Sequence, residues 1–289
     1  MDKTDRRTLG AEARVRRRHR PSGRPNDERS GGKGDGLPDP LDGGAVTGEP
    51  VDVAKRVRLV RERMRIALTR SPIDGRTRSV ALVAATKGMS LAQVQAAVDA
   101  GVDAIGESRV QELTGKFGAW RPPVPCHFIG RLQRNKVRLA LQWCDMIQSV
   151  DSLPLAEMIQ ARQLELSTPD GSTRHPGRAI LVQVNVAGEA TKGGFAPEAL
   201  EAAVERMASW SGLSVKGLMA IPPYTADPEA ARPYFRKLHA LAECIAARGF
   251  AGVSMDTVSM GMSHDFEVAI EEGATMVRIG TALFGARTV

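Results

Sequence analysis

The chain is poor in aromatic residues and in cysteines, and both shortages narrow what it can be. Aromatic residues make up only 4% of the chain, so its core must be built largely from Ala, Val, Ile, Leu and Met. The three cysteines, Cys126, Cys144 and Cys244, form no C-x-x-C pair, which argues against a zinc clasp or a dithiol redox site. A sparse, odd number of cysteines is typical of a reducing cytoplasm, where we expect this protein to work.

Segments that would direct the chain to a membrane are also missing. No apolar run reaches about 18 residues, so we expect no transmembrane helix. The N-terminus lacks the apolar stretch of a secretory signal. The formal net charge is +7, and residues 1–20 carry eight basic residues against three acidic ones. Because no finger, basic helix or aromatic-studded basic sheet accompanies this charge, we do not expect nucleic-acid binding.

Residues 1–50 differ from the rest of the chain in composition. They are rich in Arg, Gly, Pro and Asp and show almost no apolar periodicity, which predicts a disordered tail before a domain at 51–289. Within the tail, GGKGDG at 31–36 resembles a phosphate loop. It follows no predicted strand and lacks the Lys-Ser/Thr pair, so we interpret it as a linker.

The remainder alternates between two apolar patterns. An amphipathic helix is predicted from Val53 to Leu68, and eight short apolar runs follow, most of them separated by helical patterns. The predicted strands are 79–85, 102–106, 127–130, 145–150, 179–186, 214–221, 254–260 and 275–280. The predicted helices between them are 91–100, 131–141, 152–163, 197–210, 228–249 and 264–273. Such alternation requires parallel strands with crossover helices and favours a single (β/α)8 barrel, with a doubly wound open sheet as the alternative.

A barrel places its chemistry at the carboxyl ends of its strands, often with phosphate beyond strands seven and eight. There the chain has SMGMS at 259–263 and RIGT at 278–281, whose small residues let backbone N–H groups approach an anion. We call residues 259–263 and 278–281 the phosphate cradle. Lys87 follows strand one, and we expect it across the barrel mouth from this cradle. A phosphate site facing a partly buried amine is what pyridoxal 5′-phosphate (PLP) requires, since the amine forms a Schiff base with its aldehyde.

Seven segments resemble, in order, the pyridoxal phosphate homeostasis proteins, single-domain barrels similar to the N-terminal domain of alanine racemase. The long closing segment is the most specific of them. The segments are VAATKG (83–88), IGESRVQE (105–112), HFIGRLQRNK (127–136), QSVDS (148–152), LVQVNVAGEATKGGF (181–195), GLMAIPP (217–223) and the run from 258 to 287 that begins VSMGMSHDF.

The resemblance implies a role for each candidate site residue. The cofactor is held by Lys87, its phosphate is surrounded by Ser259, Gly261, Gly280 and Thr281, its ring nitrogen is addressed by Arg278, and its ring pocket is lined by Met219 and His127. A hydrogen-bonded barrel histidine is an equally good interpretation of His127. Ser108 stands where the family usually has Asn, which puts any contact from this position in doubt.

Two functions remain open at this point. The first is a carrier that holds PLP and supplies it to apo PLP-dependent enzymes, and for it we expect a monomer. The second is a PLP enzyme such as an amino-acid racemase, which needs acid–base groups on both faces of the substrate carbon. The tyrosines are Tyr224 and Tyr234, and nothing in the sequence sets either opposite Lys87, so the carrier is favoured. Lys136 and Lys192, the rival amines, lie in polar segments and are expected to be solvated.

Overall fold

The computed structural model describes residues 51–73, 78–118, 120–166, 177–189 and 191–286. The predicted tail and its GGKGDG segment lie outside the described residues, as do the last three residues of the predicted domain.

Eight parallel strands form a closed barrel in sequence order, β1 to β8. Their bounds are β1 Ala81–Ala85, β2 Ala104–Glu107, β3 Cys126–Phe128, β4 Met146–Val150, β5 Arg178–Gln183, β6 Leu213–Met219, β7 Val253–Ser259 and β8 Met276–Ile279. The barrel closes where β1 pairs with β8, in a register that sets Ala84 beside Ile279. This pairing confirms the predicted barrel and excludes the open sheet, because a closed barrel has no edge strand.

Helices surround the strands in the expected alternation. They are α1 Val53–Arg70, α2 Leu91–Asp99, α3 Val110–Phe117, α4 Val137–Trp143, α5 Leu153–Leu166, α6 Leu200–Ala208, α7 Arg232–Ala247, α8 Phe266–Glu271 and α9 Thr281–Phe284. Helices α4, α6 and α7 are each preceded by a short 3-10 turn, at Arg134–Lys136, Pro197–Ala199 and Pro228–Ala231. The prediction of a helix from residue 131 was therefore too early, because α4 begins only after the first of these turns.

Helix α3 was not predicted from the sequence, although its apolar spacing is visible in retrospect. Val110, Leu113 and Phe117 are buried and lie on one face at helical spacing. The helix is only eight residues long and contains Thr114 and Gly115, which are weak helix formers. Its stability therefore comes from packing rather than from propensity.

Helix α1 packs against α2, α8 and α9 at the seam where the barrel closes. Asp52 caps its first turn by accepting a hydrogen bond of 2.9 Å from the Lys55 N–H. Arg63 fixes it to α8 through two hydrogen bonds to the Glu267 carboxylate, at 3.0 and 2.8 Å. The helix thereby joins α2, α8 and α9 across the outside of this seam.

Candidate functional site

Lys87 lies in a tight turn directly after β1. The Thr86 N–H donates to the Gly106 carbonyl at 2.9 Å and so extends the pairing of β1 with β2 by one residue. The chain then turns back, with Met89 N–H bonded to the Thr86 carbonyl at 3.0 Å and Gly88 at φ +76°. Lys87 is half-buried, and within the described ranges no hydrogen bond or ion pair holds its amine. The turn thus has a fixed backbone, and the Lys87 amine makes no polar contact among the described residues.

The rival amines lie elsewhere at the same end of the barrel. Lys192, after β5, forms an ion pair of 2.9 Å with Glu189. Lys136 closes the 3-10 turn after β3 and borders a cavity on the rim. Lys87 follows β1, which pairs with β8, whereas Lys136 and Lys192 follow β3 and β5, which do not.

Ser263 organises the backbone at the start of α9. Its Oγ accepts hydrogen bonds from the N–H groups of Gly280 at 3.2 Å and Ala282 at 3.1 Å. These amides converge on one hydroxyl oxygen, which is the geometry that a phosphate oxygen would use. Ser263 was not among the predicted site residues, although it belongs to the same SMGMS run as Ser259.

The cradle and Lys87 lie side by side, not across the mouth. Since Ala84 pairs with Ile279, the segment after β1 runs next to the segment after β8. A Cβ placed on Gly280 would lie 3.5 Å from the carbonyl oxygen of Ala85, so any larger side chain there would fill the space between the two strand ends. The expectation of opposite positions was wrong because the barrel closes by pairing its first and last strands.

A chain of polar side chains crosses the barrel beneath this site. Arg278 Nη1 donates to the Ser259 hydroxyl at 2.6 Å, and that hydroxyl donates to Gln148 Oε1 at 2.7 Å. Gln148 Nε2 then donates to His127 Nδ1 at 2.9 Å, which leaves the His127 proton on Nε2. A second Arg278 nitrogen donates to the Ala220 carbonyl at 2.9 Å. Ser259 contacts Arg278 directly and His127 is linked to it through Gln148, a residue that sequence reasoning did not assign to the site.

Burial determines which side chains in this hydrogen-bonded series are charged. Desolvation lowers the pKa of His127 to about 4, against a weaker opposing effect of Asp145, so the imidazole is neutral near pH 7. Desolvation also lowers the pKa of Arg278 to about 10, with Asp265 acting in the opposite direction, so the guanidinium remains charged. Desolvation raises the pKa of the Asp265 carboxyl. Arg278 thus places a permanent positive charge in the barrel interior.

The remaining residues singled out in the sequence lie in four different settings. Met219 is fully buried at the end of β6, and Thr281 is exposed at the first position of α9. Gly261 has φ +91°, and a Cβ there would come within 2.6 Å of the Ala269 Cβ, so this glycine is required for packing against α8. Ser108 is half-buried after β2. Cofactor contacts by these residues stay predictions.

A cavity of about 750 Å³ opens on the rim beside the site. It lies between the segments that follow β2, β3 and β4, and its lining includes Arg109, Arg131, Arg134 and Lys136 against a single acidic residue, Asp151. The rim around this cavity is therefore electropositive, which favours the approach of anionic molecules. In the described part of the chain, no group of three or more His, Cys, Asp or Glu side chains could hold a metal ion.

Comparison with known proteins agrees with this geometry. Residues 60–288 match the family described as alanine racemase, N-terminal domain. A protein of Aquifex aeolicus named pyridoxal phosphate homeostasis protein is 41% identical over 239 residues, which cover 82% of this chain and 99% of that protein. The protein of the same name from Pseudomonas aeruginosa is 39% identical over 236 residues, or 81% of this chain and 96% of that one.

A solved structure extends the comparison to three dimensions. PipY of Synechococcus elongatus, determined with PLP bound, superposes with a TM-score of 0.67 at 30% identity and covers 81% of this chain and 100% of PipY. The fold and the site thus define a barrel of the alanine racemase N-terminal type. Within that class, the chain belongs to the pyridoxal phosphate homeostasis protein family.

Proposed function

We propose that this chain binds PLP through Lys87 and acts in PLP homeostasis by holding the cofactor and supplying or buffering it. The observation that carries the proposal is the half-buried Lys87 amine, without a partner among the described residues, beside the backbone N–H groups that converge on Ser263. Membership of the homeostasis family and the PLP-bound PipY structure support it.

The residues present fit the cofactor. The Ser263 hydroxyl accepts from the amides of Gly280 and Ala282 and keeps its own proton to donate to a phosphate, and Gly280 leaves space beside β1. Ser259, Gly261 and Thr281 complete the proposed surroundings of the phosphate. When bound, PLP supplies an aldehyde that condenses with a primary amine, and Lys87 is the amine proposed here.

Arg278 has a second proposed role, at the ring nitrogen of the cofactor. Its guanidinium is buried, held by Ser259 and Ala220, and positively charged near pH 7. A permanent charge directed at the ring nitrogen keeps that nitrogen unprotonated, which makes the ring a weak acceptor of electrons. Met219 and His127 are proposed to line the ring pocket.

A carrier accounts for these side chains better than a racemase does. Racemisation needs acid–base groups on both faces of the substrate carbon. Tyr224, the candidate tyrosine, is 81% exposed and packs on the His264 ring with centroids 5.4 Å apart. His127 is neutral near pH 7, and its Nδ1 is occupied by Gln148. Tyr224 is therefore exposed and His127 is engaged, which favours binding without turnover.

The proposed setting and partners follow from the same role. The apo forms of PLP-dependent enzymes are the proposed recipients, and a monomer in the cytoplasm is the proposed state. Cys126, Cys144 and Cys244 are free thiols. Among the described residues, no helix is long and apolar enough to span a bilayer.

Transfer and turnover assays separate the two functions. The PLP-loaded protein is mixed with an apo PLP-dependent enzyme, and recovery of that enzyme's activity is followed. A carrier restores activity, and a Lys87→Met variant treated in the same way delivers less cofactor. In parallel, the loaded protein is incubated with L-alanine, and the appearance of D-alanine at many turnovers would overturn the carrier function.

A further inference from the structure

The peptide groups on both sides of Lys87 are held by charged side chains of helix α3. On one side, the Lys116 ammonium donates to the Thr86 carbonyl at 2.6 Å. On the other side, the Gly88 N–H donates to Glu112 Oε2 at 2.7 Å. The turn that carries Lys87 is thus fastened immediately before and immediately after the reactive residue.

These two side chains also belong to a buried ionic cluster. Lys116 bridges two carboxylates, at 2.7 Å to Glu107 Oε1 and 2.8 Å to Glu112 Oε2. Glu107 also accepts a hydrogen bond of 2.6 Å from the Thr86 hydroxyl. The exposed fractions of the side chains are 0% for Glu107, 12% for Lys116 and 18% for Glu112. Removing one partner would leave a largely buried charge uncompensated, so the cluster holds its geometry tightly.

The environment of the cluster shifts the pKa values of its two carboxyl groups in opposite directions. Desolvation raises the pKa of Glu107, although Lys116 and Thr86 oppose it. Desolvation also acts to raise the pKa of Glu112, but the Gly88 N–H and Lys116 outweigh it and the net pKa is lowered. Glu112 therefore stays ionised and remains a strong acceptor for the Gly88 N–H at neutral pH.

The ion pair between Glu112 and Lys116 could form on α3 without any contact to the turn that carries Lys87. Glu112 and Lys116 are four residues apart and could satisfy each other on the helix surface. Instead, each side chain forms a further hydrogen bond with the backbone that flanks Lys87. The Lys87 amine itself forms no hydrogen bond among the described residues. A fixed backbone and a free amine are what an attachment point for a cofactor requires, because small displacements of reacting groups slow a reaction strongly.

We propose that Glu112 and Lys116 are positioning residues for Lys87, which they aim at the aldehyde carbon of bound PLP. This inference rests on the proposed function and deepens it. Neither side chain is assigned to contact the cofactor. Loss of either positioning bond slows the condensation at Lys87 and leaves recognition of the phosphate and ring unchanged.

Glu112→Ala removes the acceptor for the Gly88 N–H, and Glu112→Gln keeps a neutral acceptor of the same shape. Glu157→Ala is the matched control, since it breaks an ion pair of 2.7 Å with Arg206 between α5 and α6. Two quantities are measured for each: the rate at which PLP becomes fixed on Lys87 by borohydride, and the dissociation constant of pyridoxine 5′-phosphate, which has no aldehyde.

The expected result is a rate for Glu112→Ala about tenfold to a hundredfold below that of the unmodified protein. Its dissociation constant for pyridoxine 5′-phosphate stays within about twofold, and Glu112→Gln and the control keep most of the rate. An unchanged rate in Glu112→Ala, or equal losses in rate and affinity, overturns the positioning role. If Glu112→Ala does not fold, Glu112→Asp, which keeps the charge but draws the acceptor back from the Gly88 N–H, takes its place: a slow rate with normal affinity supports the role, and a normal rate with a stable fold overturns it. Failure of the unmodified protein to be labelled on Lys87 overturns the proposed function itself.

Discussion

Arg278 and Ser259 are joined by a hydrogen bond of 2.6 Å between Nη1 and Oγ, deep inside the barrel, where 4% of the arginine and none of the serine is exposed. Because the hydroxyl accepts from Arg278, its own proton is directed to Gln148, and the Gln148 amide in turn donates to His127. One buried cation thus sets the orientation of three side chains on β3, β4 and β7. The hydrogen-bonded series from Arg278 to His127, the phosphate cradle and Lys87 can each be tested by substitution.

Gln148→Met should destabilise the protein without changing its shape. Gln148 is fully buried, and the substitution removes the acceptor of the Ser259 proton and the donor to His127. Leaving buried polar atoms without partners costs about 1–3 kcal/mol. Urea unfolding measures the loss, with exposed Gln133→Met as the control. Equal stabilities of the two variants would show that the hydrogen bonds of Gln148 do not stabilise the fold.

His127 should make the protein less stable in mild acid. Its folded pKa of about 4 lies below the ordinary value of 6.5, so the unfolded state binds more protons between these values. Its stabilising contribution is complete above roughly pH 6.5 and declines as the pH falls to about 4, by on the order of 3 kcal/mol. Glu107 and Asp265, whose pKa values are raised, act in the opposite direction.

The comparison with His127→Gln isolates the histidine from those carboxyls. Unfolding free energies of both proteins are measured from pH 4 to pH 8. The difference between them should shrink as the pH falls, since the variant has no imidazole to protonate. A difference that is constant with pH would mean that the imidazole does not become charged on unfolding.

Thr281→Val should weaken the binding of PLP. Thr281 is exposed at the start of α9, beside the amides that converge on Ser263, and its hydroxyl is proposed to donate to the phosphate. Loss of that donor should cost about 1–2 kcal/mol, or roughly five- to thirtyfold in the dissociation constant. Titration with PLP, followed by its absorbance, gives the constant. Thr69→Val, on α1, is the control, and an unchanged affinity in Thr281→Val would remove this residue from the site.

Lys87→Ala should fold normally. The side chain makes no hydrogen bond or ion pair within the described residues, and the turn around it is held through its neighbours' backbone groups. The free energy of unfolding should therefore change by no more than about 0.5 kcal/mol in the absence of PLP. A much larger loss in urea unfolding would show that Lys87 has a structural role in place of a reactive one.

The sequence predicted the strands well because each is a short apolar run between turn signals, and all eight fall within a few residues of the predicted runs. Closure was harder to predict, since the pairing of β1 with β8 joins opposite ends of the domain and leaves no mark on local periodicity. Lys87 was expected on the wrong side of the mouth, although a closed barrel sets its first strand beside its last. Helix α3 is short and weak in propensity, so neither it nor its role beneath Lys87 was foreseen.

Side-chain partnerships were the least predictable part of the site. Gln148 and Ser263 are ordinary polar residues in sequence, and their importance depends on which atoms the folded barrel brings within hydrogen-bonding distance. Ser263 could have been found, because it shares the SMGMS run with Ser259. The pairing of Gln148 with His127 and Ser259 joins three strands and could be seen only in the fold.

Reduction of the PLP-treated protein with borohydride, followed by peptide mapping, shows whether Lys87 is the amine that holds PLP. Lys87→Met is the control, and Lys136 and Lys192 provide internal comparisons within the same digest. The account predicts that one equivalent of cofactor is fixed on the peptide containing Lys87 and that the signal disappears from that peptide in Lys87→Met. A label found mainly on Lys136 or Lys192 in the unmodified protein, or no label at all, would contradict it.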